Sequence, residues 1–137
     1  MAETGYNWGA WAFVQESASD WDADALADNG TDTSDALSLD GKAACIIGIG
    51  LYEDNTGAID GVVTVYVLGE TDVAYEETTI GSSWAFTITP VQNDTVYKQF
   101  AIDPKYYDSF KIAVKNESGQ ELAVTVKYKT ATIPLAS

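Results

Sequence analysis

Residues 110–129, "FKIAVKNESGQELAVTVKYK", decide the fold class of this chain. Phe110, Ile112 and Val114 alternate with Lys111, Ala113 and Lys115, and Leu122, Val124, Val126 and Tyr128 alternate with Ala123, Thr125, Lys127 and Lys129. A period of two puts each apolar set on one face of an extended strand, the pattern of a half-buried sheet rather than of a helix. Between the two runs "NESGQE" is a turn in which Gly119 can take a positive φ, so the segment reads as an antiparallel hairpin with one apolar face.

Outward from this pair, the same alternation predicts strands over 43–52, 61–69, 84–89 and 95–102, beside 110–116 and 121–129, punctuated by Gly, Asn, Asp, Ser and Pro. "WGAWAFV" (8–14) reads as a first strand and "ALSLDGKA" (36–43) as a short strand and turn. No stretch carries a helical stripe. "DWDADALADNG" has the punctuation of one helical turn, with Asp20 as cap and Gly30 as stop. Roughly seven or eight short strands predict an all-β chain, an antiparallel β-sandwich of the jelly-roll type; periodicity alone does not separate it from an immunoglobulin-like sandwich. At 137 residues the chain is one domain, with residues 41–137 as the sandwich and residues 1–40 as an N-terminal arm and irregular acidic loop packed on it.

The net charge is −14, every basic residue is a lysine and there is no histidine. A phosphate backbone or an anionic membrane surface meets repulsion over most of such a molecule, so no nucleic acid and no membrane are expected as partners. The charge is uneven: residues 1–80 hold sixteen acidic residues and one lysine, residues 81–137 five acidic residues and six lysines. The N-terminal residues lack the basic start and apolar run of a secretion signal, which points to cytoplasmic synthesis. The single cysteine, Cys45, sits in "AACIIGIGLY" as a small buried hydrophobe.

Six aspartates fall in residues 20–35. Asp20, Asp22 and Asp24 imitate the opening of an EF-hand loop, but Ala25 stands where a glycine makes the turn and Thr31 where a bidentate glutamate closes the shell. A second frame from Asp28 offers irregularly spaced oxygens. The preferred reading is a solvated, self-repelling loop with no metal. Without histidine no triad of the Ser-His-Asp or Cys-His type can be built, and Glu53–Asp54 and Glu76–Glu77 are adjacent residues whose side chains point to opposite strand faces. No catalytic residue and no cofactor is therefore expected, and "GIGLYEDNTG" lacks the spacing of a phosphate loop.

Trp8, Trp11, Trp21 and Trp84, with Tyr6, Tyr52, Tyr106 and Tyr107, are either core and interface residues or the stacking platform of a carbohydrate-binding module. Trp8, Trp11 and Phe13 on the N-terminal segment, and Lys111, Lys115, Lys127 and Lys129 on the polar side of the C-terminal pair, are the expected interface residues. The lysines would form a local positive patch that meets an acidic neighbour, or simply a solubilising sheet face.

"ALSLDGKAACIIGIGLYEDNTGAIDGVVTVYVLGE" (36–70) and "FKIAVKNESGQELAVTVKYKTATIP" (110–134) resemble virion structural proteins of tailed bacteriophages, above all the small head decoration proteins. The resemblance covers residues 35–134. It implies a β-sandwich or jelly roll, often a homotrimer, seated on the major capsid protein at the outer surface of the head, with no catalytic residues. A tail or fibre subunit of the same kind of particle is the neighbouring alternative.

Overall fold

The computed structural model describes residues 5–13, 24–53, 57–69, 83–104 and 109–133. Among them the strands are β1 (Asn7–Trp8), β2 (Ala12–Phe13), β3 (Asp24–Leu26), β4 (Thr31–Thr33), β5 (Leu37–Ser38), β6 (Ala44–Tyr52), β7 (Val62–Gly69), β8 (Ser83–Ile88), β9 (Thr95–Ile102), β10 (Ser109–Glu117) and β11 (Leu122–Thr132). The described residues contain no helix, and so none long and apolar enough to cross a membrane. The six longer strands match the runs read from period two to within three residues at either end.

Two antiparallel sheets form. The larger runs β1-β11-β6-β9, with β2 and β3 also paired to β11; the smaller runs β4-β10-β7-β8, with β5 also paired to β10. The pairings β3 with β11, β4 with β10, β6 with β9 and β7 with β8 are nested, first with last, as in one long hairpin rolled up. The β6–β11 and β7–β10 ladders then close the roll. This connectivity is a jelly roll and settles the choice against an immunoglobulin-like order.

Between the sheets, Ile47, Ile49 and Leu51 of β6 and Val124 and Val126 of β11 oppose Val63, Val65 and Val67 of β7 and Phe110, Ile112 and Val114 of β10, all buried. Each such side chain contributes about 1.5–3 kcal/mol through removal from water. At the β8–β9 side, Phe86 and Phe100 meet edge to face at 4.9 Å and join the rims of the two sheets. Cys45 lies in the same core, and burial pushes its thiol up to about 12.

Three expectations are corrected. Residues 110–129 are not a hairpin: β10 belongs to the smaller sheet and β11 to the larger, so the turn carries the chain across the core. Alternation looks the same in both cases, because it records which face of a strand is apolar and not which strand lies beside it. The helical turn over 20–30 is replaced, in its described part, by β3 and a turn from 27 to 30. Nor is the described part of the acidic segment a solvated loop. β3 pairs with β11 and β4 with β10, so residues 24–33 supply an outer strand to each sheet, with β5 following on the smaller one. Residues 24–40 are part of the sandwich itself.

These two crossings, 27–30 and 116–121, are tied together by a buried side chain. Asn116 donates through Nδ2 to the carbonyls of Leu26 (3.0 Å) and Gln120 (2.7 Å), and its Oδ1 accepts from the Ser118 backbone N–H (3.0 Å) and hydroxyl (2.6 Å). Its own backbone accepts from Asn29 N–H at 2.6 Å and donates to the Gly30 carbonyl at 2.9 Å. Asp28 Oδ1 accepts from Gly119 N–H at 2.9 Å. Asn29 (φ 64) and Gly119 (φ 91) supply the left-handed residues that both turns need.

Candidate functional site

Among the described residues, the outer face of the larger sheet collects most of the exposed aromatic side chains. On β6 the inward positions are Cys45, Ile47, Ile49 and Leu51, so Ile46, Gly48, Gly50 and Tyr52 point outward. Register carries that row across the sheet: Lys127, Gly48 and Gln99 lie in line, as do Thr125, Gly50 and Tyr97, and Ala123, Tyr52 and Thr95. The N-terminal strands add the rest, since Trp8 pairs with Ala131 and Phe13 with Lys127 along β11.

Five of the expected interface residues are thereby brought together. The Lys129 ammonium lies 5.0 Å from the Trp8 ring centroid and 4.9 Å from that of Trp11, and the Lys127 ammonium lies 5.0 Å from the Phe13 ring. Each contact is worth about 0.5–1 kcal/mol at an exposed site, so the lysines hold the N-terminal aromatic residues against the sheet. Tyr6 meets Trp8 edge to face at 6.0 Å. Tyr6, Trp8 and Trp11 nevertheless remain 52%, 39% and 40% exposed, an apolar surface that folding leaves in water.

Lys111 and Lys115 are elsewhere. They occupy the outward row of β10 on the smaller sheet, level with Leu68 and Thr64 of β7. The Lys115 ammonium is 3.9 Å from a Glu117 carboxylate oxygen. The four lysines thus form two pairs on the two outer faces of the sandwich rather than one patch, a direct consequence of β10 and β11 lying in different sheets. Of the other aromatic residues, Trp21, Tyr106 and Tyr107 lie outside the described residues, and Trp84 lies in β8, level with Val67.

Beside the N-terminal aromatic residues, a groove of about 530 Å³ opens across β11, β6 and β9. Its floor is set by Gly48 and Gly50. A β-carbon at 48 would stand 3.6 Å from the Trp11 ring, and one at 50 would stand 3.2 Å from Tyr97 Cε1. Two aromatic rings therefore rest on the bare backbone of one strand, Trp11 reaching over from the β2–β11 side and Tyr97 from β9. Neither Tyr97 nor the glycines stand out in the sequence; the usable signal is "GIG" inside a strand, where glycine marks close approach of another group.

The acidic candidates do not gather into a site. Among the described residues no three His, Cys, Asp or Glu side chains are placed to hold a metal ion, and Asp20 and Asp22 lie outside them. The Asp28 carboxylate is engaged by Gly119 and Asn29. Glu53 is buried at the end of β6, while Asp54, Glu76 and Glu77 are outside the described residues. No protein-family model matches this sequence, and no curated protein is detectably similar to it.

Proposed function

We propose that the protein is a non-enzymatic structural subunit of a tailed-phage virion, a jelly-roll decoration subunit that binds the major capsid protein on the outer head surface and assembles as a homotrimer. The observation that carries this reading is the exposed Tyr6–Trp8–Trp11 surface, braced by Lys129 on the outer face of a closed sandwich. Exposed aromatic residues are enriched in protein–protein contacts, and a patch of this kind is retained where a partner covers it. The resemblance of residues 35–134 to head decoration proteins supplies the kind of partner. The chain's net charge of −14 keeps decorated particles apart through like-charge repulsion.

A decoration subunit that binds only the mature shell stabilises it by linkage. The test is saturable binding to heads of a phage that encodes the protein, with a rise in their melting temperature, and a trimer mass in solution. Trp8→Ala should abolish binding while leaving the sandwich folded. A strict monomer that neither binds heads nor shifts their melting would refute the reading.

A further inference from the structure

The groove on β11, β6 and β9 adjoins the Tyr6–Trp8–Trp11 surface, with Trp11 at the boundary, and is built differently. Gly48 and Gly50 sit in the middle of a central strand, where glycine is less favourable than alanine by about 0.5–1 kcal/mol. What the two glycines permit is the close approach of Trp11 and Tyr97 to the strand, each through one side of its ring, over outward positions that a strand spaces by roughly 6.5 Å. Covering bare backbone explains a ring lying on a glycine. It does not explain why Tyr97 remains 77% exposed, with its other face in water.

Among the described residues the surrounding groups are polar and none is acidic: Thr95, Gln99 and Thr125 flank the two rings, and Lys98 and Lys127 supply the charges. The open aromatic ring of Tyr97 on a rigid floor, flanked by hydroxyl and amide groups and by the Trp11 ring that Lys129 caps, matches a ligand with a C–H face and hydroxyl edges. The volume lies within the roughly 300–1,000 Å³ of small-molecule sites.

We propose that this groove binds a neutral saccharide, with one pyranose ring stacked on Tyr97 and hydroxyls directed to Gln99, Thr95 and Thr125. Neutrality follows from the charge: an anionic polymer is repelled by the net −14 of the molecule, and the Lys127 ammonium already faces the Phe13 ring. On a particle surface such a site would hold the subunit near glycan, a role separate from its seat on the shell.

The test is titration of the full chain with cellohexaose, mannohexaose and N-acetylchitohexaose, followed by tryptophan fluorescence and by retardation in gels containing the matching polysaccharide. At least one should bind saturably with a dissociation constant of roughly 0.1–1 mM and little dependence on salt. Tyr97→Ala should weaken that binding by about tenfold or more, equivalent to one lost stacking contact, and Gly50→Val should do the same by displacing the ring. Trp8→Ala should leave it unchanged, which separates this site from head docking. Tyr97 is so exposed that its loss does not threaten folding, and the thermal melt of each variant checks this. No saturable binding of any of the three at about 10 mM overturns the proposal, as does binding that survives both groove variants. Binding only to oligogalacturonate, abolished by salt, would also overturn it.

Discussion

At one end of the sandwich, where the crossings 27–30 and 116–121 meet, polar side chains are buried and saturated with hydrogen bonds; on the outer face of the larger sheet, aromatic side chains stand in water. Asn116 is 0% exposed and uses both hydrogens of its amide and its oxygen, whereas Tyr97 is 77% exposed. Each region inverts the usual partition of polar and apolar groups, for opposite reasons. A buried amide is tolerated only when every hydrogen bond is made, and it then fixes one chain path among several, so it serves folding. An exposed aromatic contributes little to folding, so it is available for contact with something else.

The largest test of this contrast is Asn116→Ala. Removing the side chain strands the Leu26 carbonyl and the Ser118 N–H and leaves the Gln120 carbonyl only the Ser118 hydroxyl at 3.1 Å, and the loss should be about 3 kcal/mol in urea unfolding. A change under about 1 kcal/mol would mean that the crossings hold without it. Next in size is Gly119→Ala. Its φ of +91 is unfavourable for any other residue, and a β-carbon would strike the Asp60 carboxylate, so about 2 kcal/mol should be lost.

The inner side of β6 supplies a third prediction. Burial raises the Cys45 thiol to about 12, so the folded chain keeps its proton at a pH where the unfolded chain releases it. This contribution is intact below the ordinary thiol value of 9.0 and declines as pH rises from there toward 12. Iodoacetamide at pH about 9 should leave the native protein unlabelled, and Cys45→Ala should flatten the alkaline decline in stability. Rapid labelling without unfolding would show that the core beneath the aromatic face is open.

The smallest expected effect on folding is that of Trp8→Ala. It removes one cation–π contact and one edge-to-face contact from an exposed position, and stability should fall by less than about 1.5 kcal/mol. The same change should abolish head docking. A large loss of stability would turn the aromatic surface into a folding element and erase the contrast with the Asn116 region.

Much of the architecture was legible along the chain. Ile47, Ile49 and Leu51, or Phe110, Ile112 and Val114, announce strands because every second residue must be apolar if one face of a strand is buried. The turn at Gly119 was legible for a similar local reason. What was not legible was the destination of each strand. "NESGQE" suits a hairpin and a crossing equally, and the choice rests on Asn116 reaching Leu26, ninety positions earlier. The aspartate-rich segment misled in the same way: its charge spoke of solvent, while Leu26 and Ser34 were committed to the interior. Of the residues expected at an interface, Trp8, Trp11, Phe13, Lys127 and Lys129 lie together on one sheet face, a meeting of two segments that the sequence did not announce, Lys111 and Lys115 do not join them, and Tyr97 enters from an unremarkable strand.

By itself, then, the amino-acid order determined that this is an all-β, strongly acidic chain with strands at known places and an apolar side to each, because those properties are set by neighbours one and two residues apart. Tertiary structure alone decided that the strands nest into a jelly roll, that the lysines divide between two faces, and that Trp11 and Tyr97 share one strand as their floor. Those outcomes depend on pairings between residues far apart in the chain, whose free energy arises only when both sheets close on a common core.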